Sequence, residues 1–232
     1  MLEAIAGYDS NDPYSVSHDD YHYSDFISEK DFKKTIGIPN QFYFDIIDPE
    51  IKKLFNQTVE ELTAKGFQIE LVDIPYMQEI DAALSVIFAT EVFESLEKEI
   101  REVPEKIEAE IRNRVLEGLF IKGHEYISMY RVKHLAIEAF TKILHKVDVL
   151  MTPTIAAFPC NIGEREIELD GEMINIRKVY SRLVRASNLT GFPAISLPKG
   201  ISSTGFFNSV QLIGLPFQEK KLYRYAHAIE QS

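Results

Sequence analysis

Residues 35–74 carry two strand-like apolar runs on either side of an amphipathic helical pattern, and this order restricts the chain to the α/β class. The runs are TIGIPNQFYF (35–44) and FQIELVDI (67–74). Asp48 and Pro49 suit the N-cap and first position of the intervening helix, and Gly66 suits its end. A strand–helix–strand order predicts a parallel pair joined by a right-handed crossover.

The remaining chain alternates in the same way. Helices are predicted over 77–101, 105–121, 124–146, 175–190 and 219–230, strands over 147–154, 194–198 and 209–214, and a polar excursion over 160–174. The helix at 77–101 is apolar nearly all round between Ala82 and Phe93, which predicts burial on every side. The run VDVLMTPT (147–154) predicts a fully buried strand. Residues 7–31 are polar, acidic and rich in turn-forming residues, which predicts an extended surface segment ahead of one domain over 35–232.

The net charge and the cysteine count argue against several classes of protein. The chain has 25 Lys and Arg against 36 Asp and Glu, a net charge of −11, which argues against nucleic-acid or anionic-membrane binding. A single cysteine, Cys160, excludes a disulfide framework within one chain. The first residues do not resemble a signal peptide, and the apolar stretches are too short to cross a bilayer. We therefore expect a cytoplasmic protein.

Four blocks of sequence carry a family resemblance. They are AGYDSNDP (6–13), DVLMTPT (148–154), NLTGFPAISLP (188–198) and VQLIG (210–214). Together, and in this order, they resemble the amidase-signature family, which includes the A subunit of glutamyl-tRNA(Gln) amidotransferase. The resemblance implies that residues 1–34 are an extended linking segment between the two halves of the family fold. It implies that residues 35–232 are the C-terminal part of an α/β/α sandwich with a mixed central sheet flanked by helices.

The resemblance also implies that this part of the fold contributes one wall of the substrate pocket. Arg114, in the block EIRNRVLEGLF, matches a family block with a basic residue near the substrate, where a guanidinium could hold a carboxylate; the alternative is a surface salt bridge. The substrate-binding candidates are Pro153, Thr154, Ile155, Gly191, Phe192 and Arg114.

Family members use a serine nucleophile, a second serine in a cis peptide and a lysine base, taken from a Gly- and Ser-rich stretch in the N-terminal half. This sequence has no Gly-Gly pair, and its only Ser-Ser pair is Ser202–Ser203, which we interpret as a turn, with Lys199 solvated nearby. We therefore assign no catalytic residue, no metal and no cofactor to this chain. His18 and His22 are spaced for a metal clip on a helix, but their Asp- and Tyr-rich segment favours a loop.

Two departures from the family pattern affect substrate choice. Ser181 occupies the place where the amidotransferase has an acidic residue that helps to hold glutamine, and Phe207-Asn208-Ser209 replace a usual proline and glycine. Both departures favour a general amidase with another amide substrate.

Three hypotheses remain open from the sequence. The chain is a split or truncated amidase that is inert without an N-terminal half, a remnant that binds small molecules or proteins without chemistry, or an enzyme that uses the Ser202 region or the His18–His22 pair. Because half of such a domain would expose apolar surface, we expect a homodimer or a partner chain.

Overall fold

The computed structural model describes residues 1–17, 22–25, 27–29 and 34–231. The α-helices in this part of the chain are α1 (Leu2–Ile5), α2 (Pro49–Ala64), α3 (Met77–Glu102), α4 (Ala109–Leu116), α5 (Gly123–Leu144), α6 (Ile176–Arg182), α7 (Arg185–Thr190) and α8 (Glu219–Glu230). The strands are β1 (Thr35–Pro39), β2 (Gln68–Val72), β3 (Val149–Pro153), β4 (Glu166–Leu169), β5 (Glu172–Asn175), β6 (Ala194–Ile201) and β7 (Phe207–Ile213). Short 3-10 helices cover Pro104–Lys106 and Glu117–Phe120.

The chain divides into two units, one of residues 1–73, 141–183 and 191–232, and one of residues 74–140 and 184–190. The first unit, which we call the sheet unit, contains a five-stranded sheet in the order β2-β1-β3-β7-β6. Strands β2, β1 and β3 run parallel, while β7 runs antiparallel to β3 and β6 antiparallel to β7. The predicted α/β class, the mixed central sheet and the parallel β1–β2 pair are confirmed.

The core of the sheet unit lies where helices α2 and α8 pack on one face of the sheet. Alternate residues of β1, β3 and β7 supply that face, as the two-residue period of a strand requires. The buried side chains include Ile36, Ile38, Val149, Met151, Val210 and Leu212 from the strands, with Phe55 and Leu62 from α2 and Leu222 and Ile229 from α8. The predicted buried strand is also confirmed, since every residue of β3 is buried.

Local chemistry explains where α2 begins and where β1 ends. The Asp48 carboxylate accepts the backbone N–H of Glu50, and Pro49 occupies the first turn. β1 stops at Pro39, although the sequence predicted a strand to residue 44. Residues 40–46 turn instead, with Phe42 at a φ of +61°.

The second unit, which we call the helical unit, contains α3, α4, α7 and most of α5. The prediction that α3 is buried on all sides is wrong in this chain. Its buried residues are Met77, Ile80, Ala83, Ile87 and Ala89, while Phe88 is 46 % exposed. The predicted helix over 105–121 is also shorter than expected, because α4 covers only Ala109–Leu116 between the two 3-10 helices.

Two other regions differ from the sequence prediction. The polar excursion contains a β4–β5 hairpin, in which Asp170 and Gly171 both take positive φ, as a tight two-residue turn requires. The single helix predicted over 175–190 is two helices, α6 and α7. The carbonyl of Leu183, at the break, accepts a hydrogen bond of 2.7 Å from the buried Gln211 amide, which satisfies a backbone group that a continuous helix would have used.

Candidate functional site

The loop that follows β3 is the centre of the candidate site. Pro153 is buried, and Thr154 and Ile155 are half-buried. The Thr154 hydroxyl lies 3.0 Å from the hydroxyl of Ser196 on β6, and the Thr154 N–H donates to the Ser209 carbonyl. Two hydroxyl groups that can each donate or accept a hydrogen bond therefore meet beyond the carboxyl end of a buried strand.

This loop meets the loop after β1. The backbone N–H of Asp48 donates to the carbonyl of Ala156 over 2.7 Å. Because β2 and β3 lie on opposite sides of β1, the carboxyl ends of β1 and β3 form the switch point at which open α/β sheets bind ligands. The predicted residues Pro153, Thr154 and Ile155 lie at that edge of the sheet.

A buried glutamine holds the loop after β3 from the opposite side of the sheet to α2 and α8. Gln211, which is 2 % exposed, donates from Nε2 to the Pro153 carbonyl over 3.3 Å as well as to the Leu183 carbonyl. The residue belongs to the block VQLIG, but its role in positioning the loop was not predicted. Its amide satisfies two buried carbonyls that would otherwise lack these donors.

Gly191 and Phe192 form the connection from α7 into β6. Gly191 is exposed and takes a φ of +76°, which ends the helix in a conformation that disfavours other residues. Phe192 is 5 % exposed, and the Pro193 carbonyl accepts the Gly214 N–H. Ile195 and Ser196 of β6 follow Phe192, and the Ser196 hydroxyl contacts Thr154. The connection therefore leads into a strand that contacts the loop after β3.

Arg114, the sixth predicted residue, belongs to the helical unit. Its side chain is exposed, and its guanidinium carbon lies 5.4 Å from the centroid of the Phe88 ring. This is the geometry of a cation–π contact on the surface of the unit. The other five predicted residues all belong to the sheet unit.

Another arginine, Arg182, contacts the turn after β1 and was not predicted. The guanidinium carbon of Arg182 lies 3.7 Å from the centroid of the Phe42 ring, and its Nη2 donates to the Phe42 carbonyl over 3.3 Å. The Asp45 carboxylate lies 4.0 Å from the same nitrogen. Ser181, the neighbouring residue, donates its hydroxyl to the Arg177 carbonyl within α6. The one signal in the sequence for Arg182 is that it follows Ser181, the position at which this chain departs from the family pattern.

The Ser202–Ser203 pair has the contacts of a turn. The Ser202 hydroxyl accepts the Phe206 N–H and pairs with the Thr204 hydroxyl, each over 2.9 Å. Ser203 donates from both its N–H and its hydroxyl to the Glu50 carboxylate. Nearby, burial lowers the pKa of the Lys199 ammonium group from its ordinary value.

The His18–His22 pair stays a prediction, because His18 lies outside the described residues. Among the residues that are described, no group of three or more His, Cys, Asp or Glu could hold a metal ion. The Cys160 N–H donates to the Tyr180 hydroxyl, which donates in turn to the Phe158 carbonyl. No helix in the described ranges has the length and apolar character needed to cross a bilayer.

The chain is therefore an α/β protein with a mixed sheet, and its candidate site lies in the loops at the carboxyl ends of β1 and β3. The chain belongs to the amidase family, whose sequence profile matches residues 1–223. It is 27 % identical over 234 residues to an amidase of Pseudomonas putida, covering 100 % of this chain and 50 % of that protein. It is 30 % identical over 256 residues to the A subunit of a glutamyl-tRNA(Gln) amidotransferase from Agathobacter rectalis, again covering 100 % of this chain and 50 % of that protein.

Solved structures agree on the fold. A structure from a vestigial protein complex, linked to the evolutionary origins of an s-triazine catabolic enzyme, matches with a TM-score of 0.89 at 22 % identity. The match covers 99 % of this chain and 50 % of that one. The chain thus spans about half the length of the curated relatives that it matches. The predicted resemblance to the amidase-signature family is confirmed.

Proposed function

We propose that this chain is the C-terminal segment of an amidase that hydrolyses amide bonds, and that it forms one wall of the substrate pocket. Residues 1–34 act as the linking segment and residues 35–232 as the C-terminal part of the amidase domain. One observation carries the proposal: the whole chain aligns with only half of each relative. The serine nucleophile, the second serine and the lysine base then belong to the half of the family's sequence that this chain does not match.

The loop after β3 is the proposed wall. Thr154 and Ser196 offer hydroxyl groups that can bind the polar atoms of an amide, while Pro153 and Ile155 supply apolar contact. Gly191 leaves room for close approach of a substrate, since no atom of the described residues, apart from its chain neighbours, lies within 4 Å of a Cβ built at that position. Phe192 supports the start of β6 from the buried side.

Arg114 is the proposed partner of a substrate carboxylate. Its guanidinium can form two parallel hydrogen bonds to a carboxylate while its carbon remains stacked on Phe88. Ser181 cannot supply the charge that an acidic residue would give to the amino group of glutamine. We therefore propose a general amide substrate rather than glutamine.

A partner chain is part of the proposal. Several large apolar side chains of the helical unit are about half exposed or more. They include Phe88, Ile111, Leu119, Phe120, Ile127 and Leu135. Exposed apolar surface of this kind favours association, either with a second copy or with a chain that carries the N-terminal half. Because the chain is strongly acidic and has one cysteine, we propose a cytoplasmic protein without nucleic-acid or membrane partners.

An ammonia-release assay tests the proposal. The purified chain is incubated with propionamide, benzamide and glutamine, with the amidase of Pseudomonas putida as the positive control. We expect no release above the uncatalysed rate from this chain. Release that depends on the chain and is lost in Ser202→Ala would contradict the proposal. If the chain binds an amide without release and no N-terminal half is encoded nearby, the non-catalytic remnant is the better description.

A further inference from the structure

We infer that the sheet unit contains a second small-molecule site, between α2 and the β1–β2 edge of the sheet, which takes an organic carboxylate with an aryl or short alkyl body. The inference does not rest on the proposed amidase function. It begins with a cavity of about 360 Å³ between the helix and the two strands. This volume falls within the range of small-molecule pockets, which begins at about 300 Å³.

The body of the cavity is apolar. Ile38 of β1 and Phe55 of α2 line it and are 5 % and 1 % exposed, respectively. Ile69 of β2 and Phe44 also line it, and the Phe44 and Phe55 rings lie 5.2 Å apart. Leu71 lines the cavity as well but is 74 % exposed, so the helix leaves part of the β2 face uncovered. An aryl or alkyl group placed here would remove this apolar surface from water.

The polar groups of the cavity favour an anion. Lys52 and Asn56 line it from the same face of α2, four residues apart, and Asn40 lines it from the end of β1. Among the described residues that line the cavity there is a lysine and no carboxylate. The chain as a whole carries 36 acidic against 25 basic residues, so the positive charge of this lining differs from the net negative charge of the chain. One ammonium group with two amides matches one carboxylate, which accepts hydrogen bonds only.

The position of the cavity is also distinct from the candidate amidase site. Its polar end lies beyond the carboxyl ends of β1 and β2, where Asn40 follows Pro39 and donates its backbone N–H to the Val72 carbonyl. The candidate amidase site instead lies at the carboxyl ends of β1 and β3. None of the six predicted substrate-binding residues lines the cavity.

Titration with 4-phenylbutyrate, followed by backbone amide NMR shifts of the full chain, tests the inference. We expect saturable shifts confined to residues 38–40, 52–59 and 69–71, with millimolar or tighter affinity. The uncharged 4-phenylbutanamide should bind at least about fivefold more weakly, because it lacks the charge that the ammonium group recognises.

Two matched lysine variants locate the charge. Lys52→Ala should weaken 4-phenylbutyrate binding by at least about fivefold and remove the preference over the amide. Lys53→Ala changes a neighbour that is exposed, as Lys52 is, but does not line the cavity, and it should leave both affinities unchanged. Unshifted amides in all three segments, equal binding of acid and amide, or an equal loss in both variants would each overturn the inference.

Discussion

The guanidinium of Arg182 stacks on the ring of Phe42, with 3.7 Å between the guanidinium carbon and the ring centroid. Arg182 closes α6, while Phe42 lies in the turn after β1 at a φ of +61°. A residue other than glycine is strained in this backbone region, so neighbouring contacts must hold it there. The arginine does so through the ring and through the Phe42 carbonyl.

Arg182→Ala should therefore loosen the turn after β1. The Arg182 side chain is 16 % exposed, so removal of its stacking and hydrogen bond should lower the free energy of unfolding by about 1–2 kcal/mol. Urea unfolding followed by circular dichroism measures this change. Lys178→Ala, at an exposed position of the same helix, is the control and should change stability by less than about 0.5 kcal/mol. Equal effects of the two variants would contradict the assigned role.

A charged network at the start of β1 and β3 predicts how stability depends on pH. The Asp148 carboxylate lies 2.9 Å from the Lys221 ammonium group and accepts the Thr35 N–H. Burial alone would raise the pKa of Asp148, but hydrogen bonds from Lys221 and Tyr225 lower it below its ordinary value of 3.8. A lowered carboxyl pKa stabilises the folded state above the ordinary pKa, and this stability is lost as the pH falls through the folded-state value.

Asp148→Asn should accordingly destabilise the chain at pH 7 and have a smaller effect as the pH drops below 3.8. Urea midpoints of the wild type and the variant between pH 7 and pH 3 measure the difference. Asp73→Asn, at an exposed position, serves as the control. A difference that stays constant over this range would show that the charge of Asp148 is not the source.

Close packing around Gly118 predicts a strong effect of a single methyl group. A Cβ on Gly118 would lie 2.6 Å from the Cβ of Phe93 and also meet the Ala89 carbonyl oxygen on α3. Because these contacts are with the backbone and a Cβ of α3 rather than with the end of a flexible side chain, Gly118→Ala should cost about 2 kcal/mol or more in stability. Gly123→Ala is the matched control, because none of the described residues beyond its chain neighbours and helix comes within 4 Å of its Cβ, and it should be neutral or slightly stabilising. Thermal unfolding of both variants provides the comparison.

Association through the exposed apolar residues of the helical unit can be measured directly. Light scattering at micromolar concentration should give a mass above the 26.6 kDa of a single chain. Phe120→Glu, at a position 82 % exposed, should reduce that mass without loss of helix content. A clean monomer for the unaltered chain, even after co-expression with a candidate N-terminal half, would contradict the proposed partner.

The elements that could be predicted from the sequence are those whose signals are local. The final helix occupies the predicted residues 219–230, and α2 begins at the predicted Asp48 cap. The hairpin turn at Asp170–Gly171 also carried a local signal, but the polar composition around it concealed the short strands. The break in the helix over 175–190 could not be found in this way, because the group that satisfies the Leu183 carbonyl is Gln211, 28 residues away.

In the candidate site, too, some residues could be predicted from the sequence, whereas the contacts between distant residues could not. Pro153, Thr154 and Ile155 were predicted as pocket residues from the family resemblance of the block DVLMTPT, and the proline after the apolar run added only the local signal that a strand ends there. The contacts of Thr154 with Ser196, and of Arg182 with Phe42, join residues 42 and 140 positions apart. No periodicity or spacing rule reports such contacts, since they depend on strand order and on the path of the loops. The prediction for α3 failed because its apolar composition indicates what it can bury, not what this chain provides to cover it.

Labelling of the purified chain with a fluorophosphonate serine probe, read by intact mass, tests directly whether this chain contains an activated serine. We predict no adduct, because the hydroxyls of Ser202 and Ser203 are engaged in a turn and by Glu50, while a full-length amidase labelled in parallel should be modified stoichiometrically. A stoichiometric adduct on this chain, lost in Ser202→Ala or Ser203→Ala, would show that it contains an activated serine and would contradict the proposed function.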